Sequence, residues 1–297
     1  MSSTILITGA SGPLGRRVVH HLLESNKIPP EQVIATTRTP AKVADLAARG
    51  VTVRYADFSE AASLDRAFAG AQTILIVSTD LLDLVDGGRL RQHEAAVAAA
   101  IRVGAEHLAY TSMVRPDPGS PFLLANDHYG TEQALKTSGL SYTIFRNNSY
   151  HENLMMSLPT IVATGRWYTS AGDGRVAYAA RDDMAAAIAG RLASRSTDSA
   201  TLMLTGPKAY SHREVARLVT DVTNKPIEIV PVSDEALTSH LKASGVPDPF
   251  ARLQASVDAN IRAGHNDVVT DTLEALARRT PIPLHQFLDA NKRALMG

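Results

Sequence analysis

Residues 4–23 read TILITGASGPLGRRVVHHLL. A run of β-branched residues and leucine over 4–8 is followed at once by three glycines, Gly9, Gly12 and Gly15, and then by apolar residues on a helical stripe over 18–23. That order is strand, tight turn, helix. Such a turn aims the free N–H groups of a helix start at an incoming anion, and the helix dipole adds to the attraction, so the ligand it predicts is a pyrophosphate. The three glycines differ in what they allow. Gly9 permits the sharp exit from the strand, Gly12 lets the backbone approach phosphate, and Gly15 lets helix and strand pack closely. Ser11 adds a hydroxyl donor. The spacing is not that of the common GxGxxG fingerprint, and no GK[ST] follows as it would in a Walker loop.

Working outward, the stretches 32–36, 51–55, 73–77, 107–111 and 141–145 read as further strands, and 41–49, 63–68, 89–103 and 129–137 as helices. The TILIV run at 73–77 is nearly continuous in apolar residues, as in a strand covered on both faces. Six strands linked by helices predict an α/β fold, a Rossmann-like doubly wound parallel sheet with right-handed crossovers. Beyond Arg146 the rhythm breaks. The segment 147–180 reads as irregular, while a helix over 183–192 and a strand over 200–204 are expected to return to the main sheet. The proline-punctuated remainder reads as a smaller, mostly helical region. The expected division is a nucleotide-binding domain over 1–150, rejoined by 175–205, and a smaller region over 151–297 covering the substrate.

Composition narrows the chemistry. The 297 residues carry 30 basic and 30 acidic side chains, so no net field draws the chain to nucleic acid or to an acidic membrane. There is no cysteine, which excludes disulfides, thiolate nucleophiles and cysteine-bound metals. Neither His20-His21 nor His151-Glu152 has a third ligand at fitting spacing, so no metal is expected. Without a signal segment or an apolar stretch long enough to span a bilayer, the expected location is the cytoplasm. Arg16-Arg17 reads as partly phosphate-facing, and Arg278-Arg279 as a helix C-terminus.

The end of the second strand, ATTRTPAK at 35–42, selects the cofactor. NAD-binding folds place an acid there to accept from the ribose 2′-hydroxyl. Here the residues are Arg38, which can fork onto a 2′-phosphate, and Lys42, one helical turn on, so NADP(H) is expected over NAD(H). After the third strand, Asp57 precedes Phe58 and either reaches the adenine amino group or caps a helix.

Taken together, TGASGPLG, TRTPAK, RYADF, HLAYTS, NDHYGTEQALKTSGLSYTIFRNNSYHEN and TSAGDGRVAYAARDD resemble the NmrA-like atypical short-chain dehydrogenase/reductases, with particular similarity to the type 2 NAD(P)H:quinone oxidoreductases and the triphenylmethane dye reductases. The resemblance implies an NADPH-binding monomer or homodimer with a small C-terminal domain over the cleft. It implies cofactor contacts at Gly9, Ser11, Gly12, Pro13, Leu14 and Arg38, with Val77, Ser78 and Thr79 facing ribose and phosphates. Thr111 and Ser112 would lie near the nicotinamide. Asn147, Asn148, Ser149, Tyr150, His151 and Glu152 would close over it, with Gly172, Asp173 and Gly174 alongside.

One departure matters. Ordinary short-chain dehydrogenases use Tyr-x-x-x-Lys, in which the lysine makes the tyrosine a usable acid. This chain has Tyr129 but places Gln133 where the lysine belongs, and a neutral amide cannot supply that charge. The expected substrate is therefore an electron-poor conjugated acceptor, such as a quinone, a dye or a related carbonyl, that takes hydride without a protein acid. His128, Tyr129 and Tyr150 are the candidates to donate a hydrogen bond to the developing oxyanion or to stack on a flat substrate. The alternative is a redox sensor of the NmrA kind that holds NADP without turnover.

Overall fold

The computed structural model describes residues 4–82 and 86–297. The first half alternates β1 (Ile5–Ile7), α1 (Pro13–Glu24), β2 (Val33–Thr37), α2 (Ala44–Ala48), β3 (Thr52–Tyr55), α3 (Ala61–Phe68) and β4 (Thr73–Ile76). It continues through α4 (Gly88–Arg102), β5 (His107–Met113), α5 (Ala125–Thr137) and β6 (Ser141–Asn147). Then come α6 (His151–Leu154), α7 (Leu158–Thr164), β7 (Arg166–Thr169), β8 (Arg175–Val176), α8 (Arg181–Ala193) and β9 (Ala200–Leu204). The last stretch holds β10 (Tyr210–Ser211), α9 (His212–Thr223), β11 (Glu228–Pro231), α10 (Asp234–Ala243) and α11 (Asp248–Arg262). Three short helices close the chain, α12 (Thr272–Ala277), α13 (Leu284–Ala290) and α14 (Lys292–Met296).

Seven strands form one sheet in the order β3-β2-β1-β4-β5-β6-β9, every pair parallel. Because side chains alternate across a strand, Ile5 and Ile7 join Val18, Leu22, Met184 and Ile188 on one face, while Leu6, Ile74 and Ile76 join Leu64, Phe68 and Ala100 on the other. Along the central β1 and β4 both faces are largely buried, which is why these strands read as apolar runs, whereas the edge strands β3 and β9 are partly exposed. The chain order reverses between β1 and β4, and the carboxyl ends of those two strands make the switch point at which open α/β sheets bind ligands. β9 does return to the sheet, beside β6.

The segment 147–180 is more regular than its sequence predicts. It holds α6, α7, β7 and β8, whose strands pair with β11 and β10 from much further along the chain. Strands this short carry no periodicity of their own; their partners define them. Around them Trp167, Val176, Tyr178, Val215, Val219, Ile261 and Leu288 form a separate core. Asn148 and Asn266 join the two parts through a reciprocal pair, Nδ2 of Asn148 to the Asn266 carbonyl at 2.9 Å and Nδ2 of Asn266 to Oδ1 of Asn148 at 3.1 Å. Among the described residues no helix is long and apolar enough to cross a membrane.

Candidate active site

The glycine turn is built as its spacing requires. Gly9 sits at φ +60°, a left-handed conformation that a side chain would strain. The Gly12 N–H donates to the Gly9 carbonyl at 2.9 Å and closes the turn. At Gly15 an added Cβ would lie 2.5 Å from the Gly9 oxygen, so the helix approaches the turn as closely as a bare backbone allows. Pro13 occupies the first position of α1, where no N–H is needed, and Gly12 caps the helix with no side chain over its end. That leaves an uncovered helix N-terminus facing a cleft of about 350 Å³.

The cleft lies over the switch point. Its walls are Gly9 and residues 11–15 after β1, residues 36–38 after β2, residues 56–58 after β3, residues 77–80 after β4, Gln92 of α4, and Tyr150 with Arg181. Gly9, Ser11, Gly12, Pro13, Leu14, Gly15, Arg38, Asp57, Phe58, Val77, Ser78, Thr79 and Tyr150 therefore come together in one site. The Ser11 and Thr37 hydroxyls share a 2.7 Å hydrogen bond. Arg38, largely exposed, reaches Asp80 across the mouth at 3.3 Å. Asp57 is not a helix cap: its Oδ1 accepts from the Ser59 N–H at 2.8 Å, and the residue before α3 is Glu60. Thr36, Thr37, Asp80, Gln92 and Arg181 line the cleft without having been singled out by sequence. Thr37 and Asp80 flank residues read as ligands, Arg38 and Thr79, whereas Arg181 lies near the end of the TSAGDGRVAYAARDD block and precedes the start read for its helix.

Other candidates stand outside the cleft. Lys42 is exposed, and its carbonyl accepts from Arg16 at 3.2 Å. Arg16 itself pairs with Asp45 at 2.5 Å rather than turning to the glycine turn. Thr111 supports the site from beneath, its Oγ1 accepting from the Ser78 N–H at 2.9 Å. Asn147 donates to the Tyr150 hydroxyl at 3.2 Å, and the Ser149 N–H bonds back to Oδ1 of Asn148 at 2.9 Å. Gly172 turns at φ +57° against the Arg262 side chain, and the Gly174 backbone packs against Ile261. Arg279 is more than a helix end: it bonds Asp182 at 2.6 Å and Asp183 at 2.7 Å.

The correction is largest for His128. The helix that carries it begins at Ala125, not at 129, which turns His128 into the interior instead of toward solvent or a substrate. Its Nδ1 lies 2.8 Å from the buried Tyr110 hydroxyl and its Nε2 lies 3.4 Å from an Arg89 nitrogen. His93 is the second histidine of this network, with Nε2 accepting from the Thr79 N–H at 3.0 Å and Nδ1 at 2.9 Å from the Thr131 hydroxyl. Arginine and a backbone N–H can only donate, so both imidazoles carry their proton on Nδ1. Burial holds both uncharged: His93 is lowered to about 3 and His128 well below the ordinary histidine value. Burial likewise raises the Tyr110 phenol. These groups hold Thr79, a cleft residue, from behind.

Ser112 and Tyr129 do not form an acid–base pair. Ser112 donates to Oε1 of Glu132 at 2.7 Å, and Arg146 grips that carboxylate with Nε at 2.9 Å and a terminal nitrogen at 2.7 Å. Glu132 is fully buried, so this ion pair is a clamp from α5 to the end of β6. Tyr129, half-buried on α5, lies outside the cleft lining. Tyr150 does line it; burial raises its phenol, and the Arg181 guanidinium carbon sits 4.8 Å from its ring centre.

Two buried polar atoms at the cleft have no partner among the described residues, Thr36 Oγ1 and Gln92 Oε1. Together with the uncovered helix start they fit a bound dinucleotide, which brings phosphates to the turn and a hydrogen-bonding base to the far end. Fold and site define a dinucleotide-binding protein of the Rossmann-like class. The chain belongs to the NmrA-like family, whose model matches residues 1–265. It is 35% identical over 260 residues to quinone oxidoreductase 2 of Escherichia coli, covering 88% of each chain. To the NAD(P)H azoreductase of Xenophilus azovorans it is 26% identical over 290 residues, 98% of each. Its fold superposes on the E. coli NADPH-dependent quinone oxidoreductase bound to NADPH with a TM-score of 0.90 at 33% identity, covering 97% of this chain and 99% of that one. For the Citrobacter sp. triphenylmethane reductase complexed with NADP(H) the TM-score is 0.89 at 32% identity, covering 97% and 100%.

Proposed function

We propose that this protein is an NADPH-dependent oxidoreductase that reduces a quinone or a similar conjugated acceptor. The observation that carries the acceptor class is the dismantled acid–base pair. Gln133 replaces the lysine, Ser112 is committed to Glu132, and Tyr129 lies off the cleft, so neither Ser112 nor Tyr129 is poised as the lysine-activated acid that protonates an alcohol or ketone oxygen. A quinone takes a hydride without such help and draws its protons from solvent. Relatives that act on quinones, azo compounds and triphenylmethane dyes support the same reading. When bound, NADPH supplies the hydride.

What the chain itself contributes is binding and orientation. The glycine turn and the start of α1 receive the pyrophosphate, Ser11 and Thr37 frame it, and Arg38 exchanges Asp80 for the 2′-phosphate. Gln92 Oε1 and Asp57 face the adenine, with Phe58 as a stacking wall. Residues 77–79, backed by Thr111 and His93, present the ribose side. Tyr150, held by Asn147, forms the wall at the nicotinamide end, and the region from 151 onward covers the acceptor. Residues 1–150 with 175–205 make the cofactor domain in this reading, and the protein works in the cytoplasm as a monomer or homodimer.

The test is NADPH and NADH oxidation across a panel of quinones and conjugated carbonyls, with cofactor binding titrated by fluorescence in parallel. Turnover with NADPH and a quinone is expected. Tight NADPH binding with no turnover on any acceptor would overturn the enzyme reading in favour of a redox sensor.

A further inference from the structure

A cation shares the cleft with the glycine turn. Arg181 lines the cavity together with Gly12, Pro13 and Tyr150. Its backbone is fixed: the Arg181 N–H donates to both oxygens of Glu152, at 3.0 and 3.3 Å. The next residue ties α8 to α1, because Asp182 accepts from His21 at 3.0 Å and lies 3.7 Å from Arg17. The helix that closes the turn and the helix that carries Arg181 are thus pinned side by side.

The Arg181 side chain is less constrained. The acids around it are already engaged, Asp182 by His21 and Arg279, Asp183 by Arg279 and the Ile282 N–H, and Glu152 by the Arg181 N–H itself. Among the described residues its guanidinium rests on the Tyr150 ring, 4.8 Å from the centre, with no carboxylate in ion-pair range. The other arginines nearby are paired, Arg16 with Asp45, Arg17 with Asp182 and Arg38 with Asp80. A guanidinium over an aromatic face at a half-exposed site is held weakly, whereas hydrogen bonds to a phosphate are charge-assisted and can be bidentate. An anion entering the cleft therefore outcompetes the ring.

We propose that Arg181 is a diphosphate-binding residue: its guanidinium leaves the face of Tyr150 and donates to the diphosphate seated on the glycine turn. The cofactor's diphosphate is then held from two sides, by backbone N–H groups and by one side chain, and the Tyr150 ring is uncovered as the cofactor arrives. This rests on the dinucleotide reading of the cleft.

Two ligands separate the possibilities, 2′-phospho-ADP-ribose, which carries the diphosphate, and adenosine 2′,5′-bisphosphate, which carries the 2′-phosphate but only one phosphate at the 5′ end. Each is titrated calorimetrically into the wild type, Arg181→Gln and Arg181→Lys. We expect Arg181→Gln to weaken the diphosphate ligand by about tenfold, and Arg181→Lys by less, because the lost contact is a charged hydrogen bond. The bisphosphate should change by less than about twofold, the scale of an unrelated surface substitution. Equal weakening of both ligands, or no change in either, overturns the assignment. If Arg181→Gln does not fold, Arg181→Lys decides on the same ratio. A wild type that binds neither ligand would overturn the dinucleotide reading itself and this assignment with it.

Discussion

The wall of the cleft formed by residues 9–15 comes from one uninterrupted stretch, whereas the wall formed by Tyr150 and Arg181 joins residues from β6's exit and α8's start. In the first, backbone geometry does the holding: a left-handed Gly9, a carbonyl closed by the Gly12 N–H, and a helix so close that Gly15 has no room for a Cβ. In the second, side chains do it: Asn147 on the Tyr150 hydroxyl, Arg181 on the Tyr150 ring, Glu152 on the Arg181 N–H. A wall made of backbone cannot adjust without refolding, but a wall made of side chains can exchange partners when a ligand arrives. The first therefore tolerates few substitutions, and the second is where binding can be tuned.

The largest effect should come from removing the base of the assembled wall. Glu132→Ala leaves Arg146 without its buried carboxylate, just before the residues that carry Tyr150, and should cost about 3–5 kcal/mol of unfolding free energy. Urea denaturation that finds less than about 1 kcal/mol would mean the wall is anchored elsewhere. Next is Gly15→Ala, which drives a Cβ into the Gly9 carbonyl and should cost about 3 kcal/mol in the same assay. A neutral outcome would show that the local wall yields after all.

Binding at the cleft mouth comes third. Arg38→Ala should weaken NADPH by about tenfold and leave NADH nearly unchanged, since only the former has a 2′-phosphate to meet the charge. An equal loss for both cofactors would place the 2′-phosphate elsewhere.

Acid sensitivity should follow the buried histidines. His93 is lowered to about 3, and His107 and His151 to about 4, in each case chiefly by burial. The unfolded chain binds these protons near pH 6.5 and the folded one does not. Their full contribution to stability is therefore present above about pH 6.5 and is lost as pH falls toward the folded values, at up to about 1.4 kcal/mol per pH unit for each histidine. His107→Asn should flatten that slope by one proton in denaturation curves collected between those pH values. An unchanged slope would mean that His107 is protonated in the folded protein. The smallest effect should be Tyr129→Phe, which should alter kcat for quinone reduction by less than about twofold. A collapse of kcat with KM intact would return Tyr129 to the active site.

Legibility followed the same division. The glycine turn, Arg38, Asp57 and the strand-end residues 77–79 could be read because each lies a fixed few residues after a strand, and the strands announced themselves as apolar runs. His128 could not. Its direction depends on where α5 begins, and a start at Ala125 in place of 129 turns it from solvent to the buried Tyr110 and Arg89. Arg181 escaped for the same reason, since the helix carrying it begins before the periodic pattern does. The strands of 147–180 were invisible because their partners lie at 210–211 and 228–231.

The sequence by itself therefore determined the parallel sheet, its switch point and the glycine turn between β1 and α1, because these rest on local periodicity and on backbone that glycine permits. Tertiary structure alone decided which side chains face the cleft. It turned His128 inward, committed Ser112 to Glu132 and set Arg181 over Tyr150, because a side chain's direction is fixed by helix phase and by partners that the chain brings from far away.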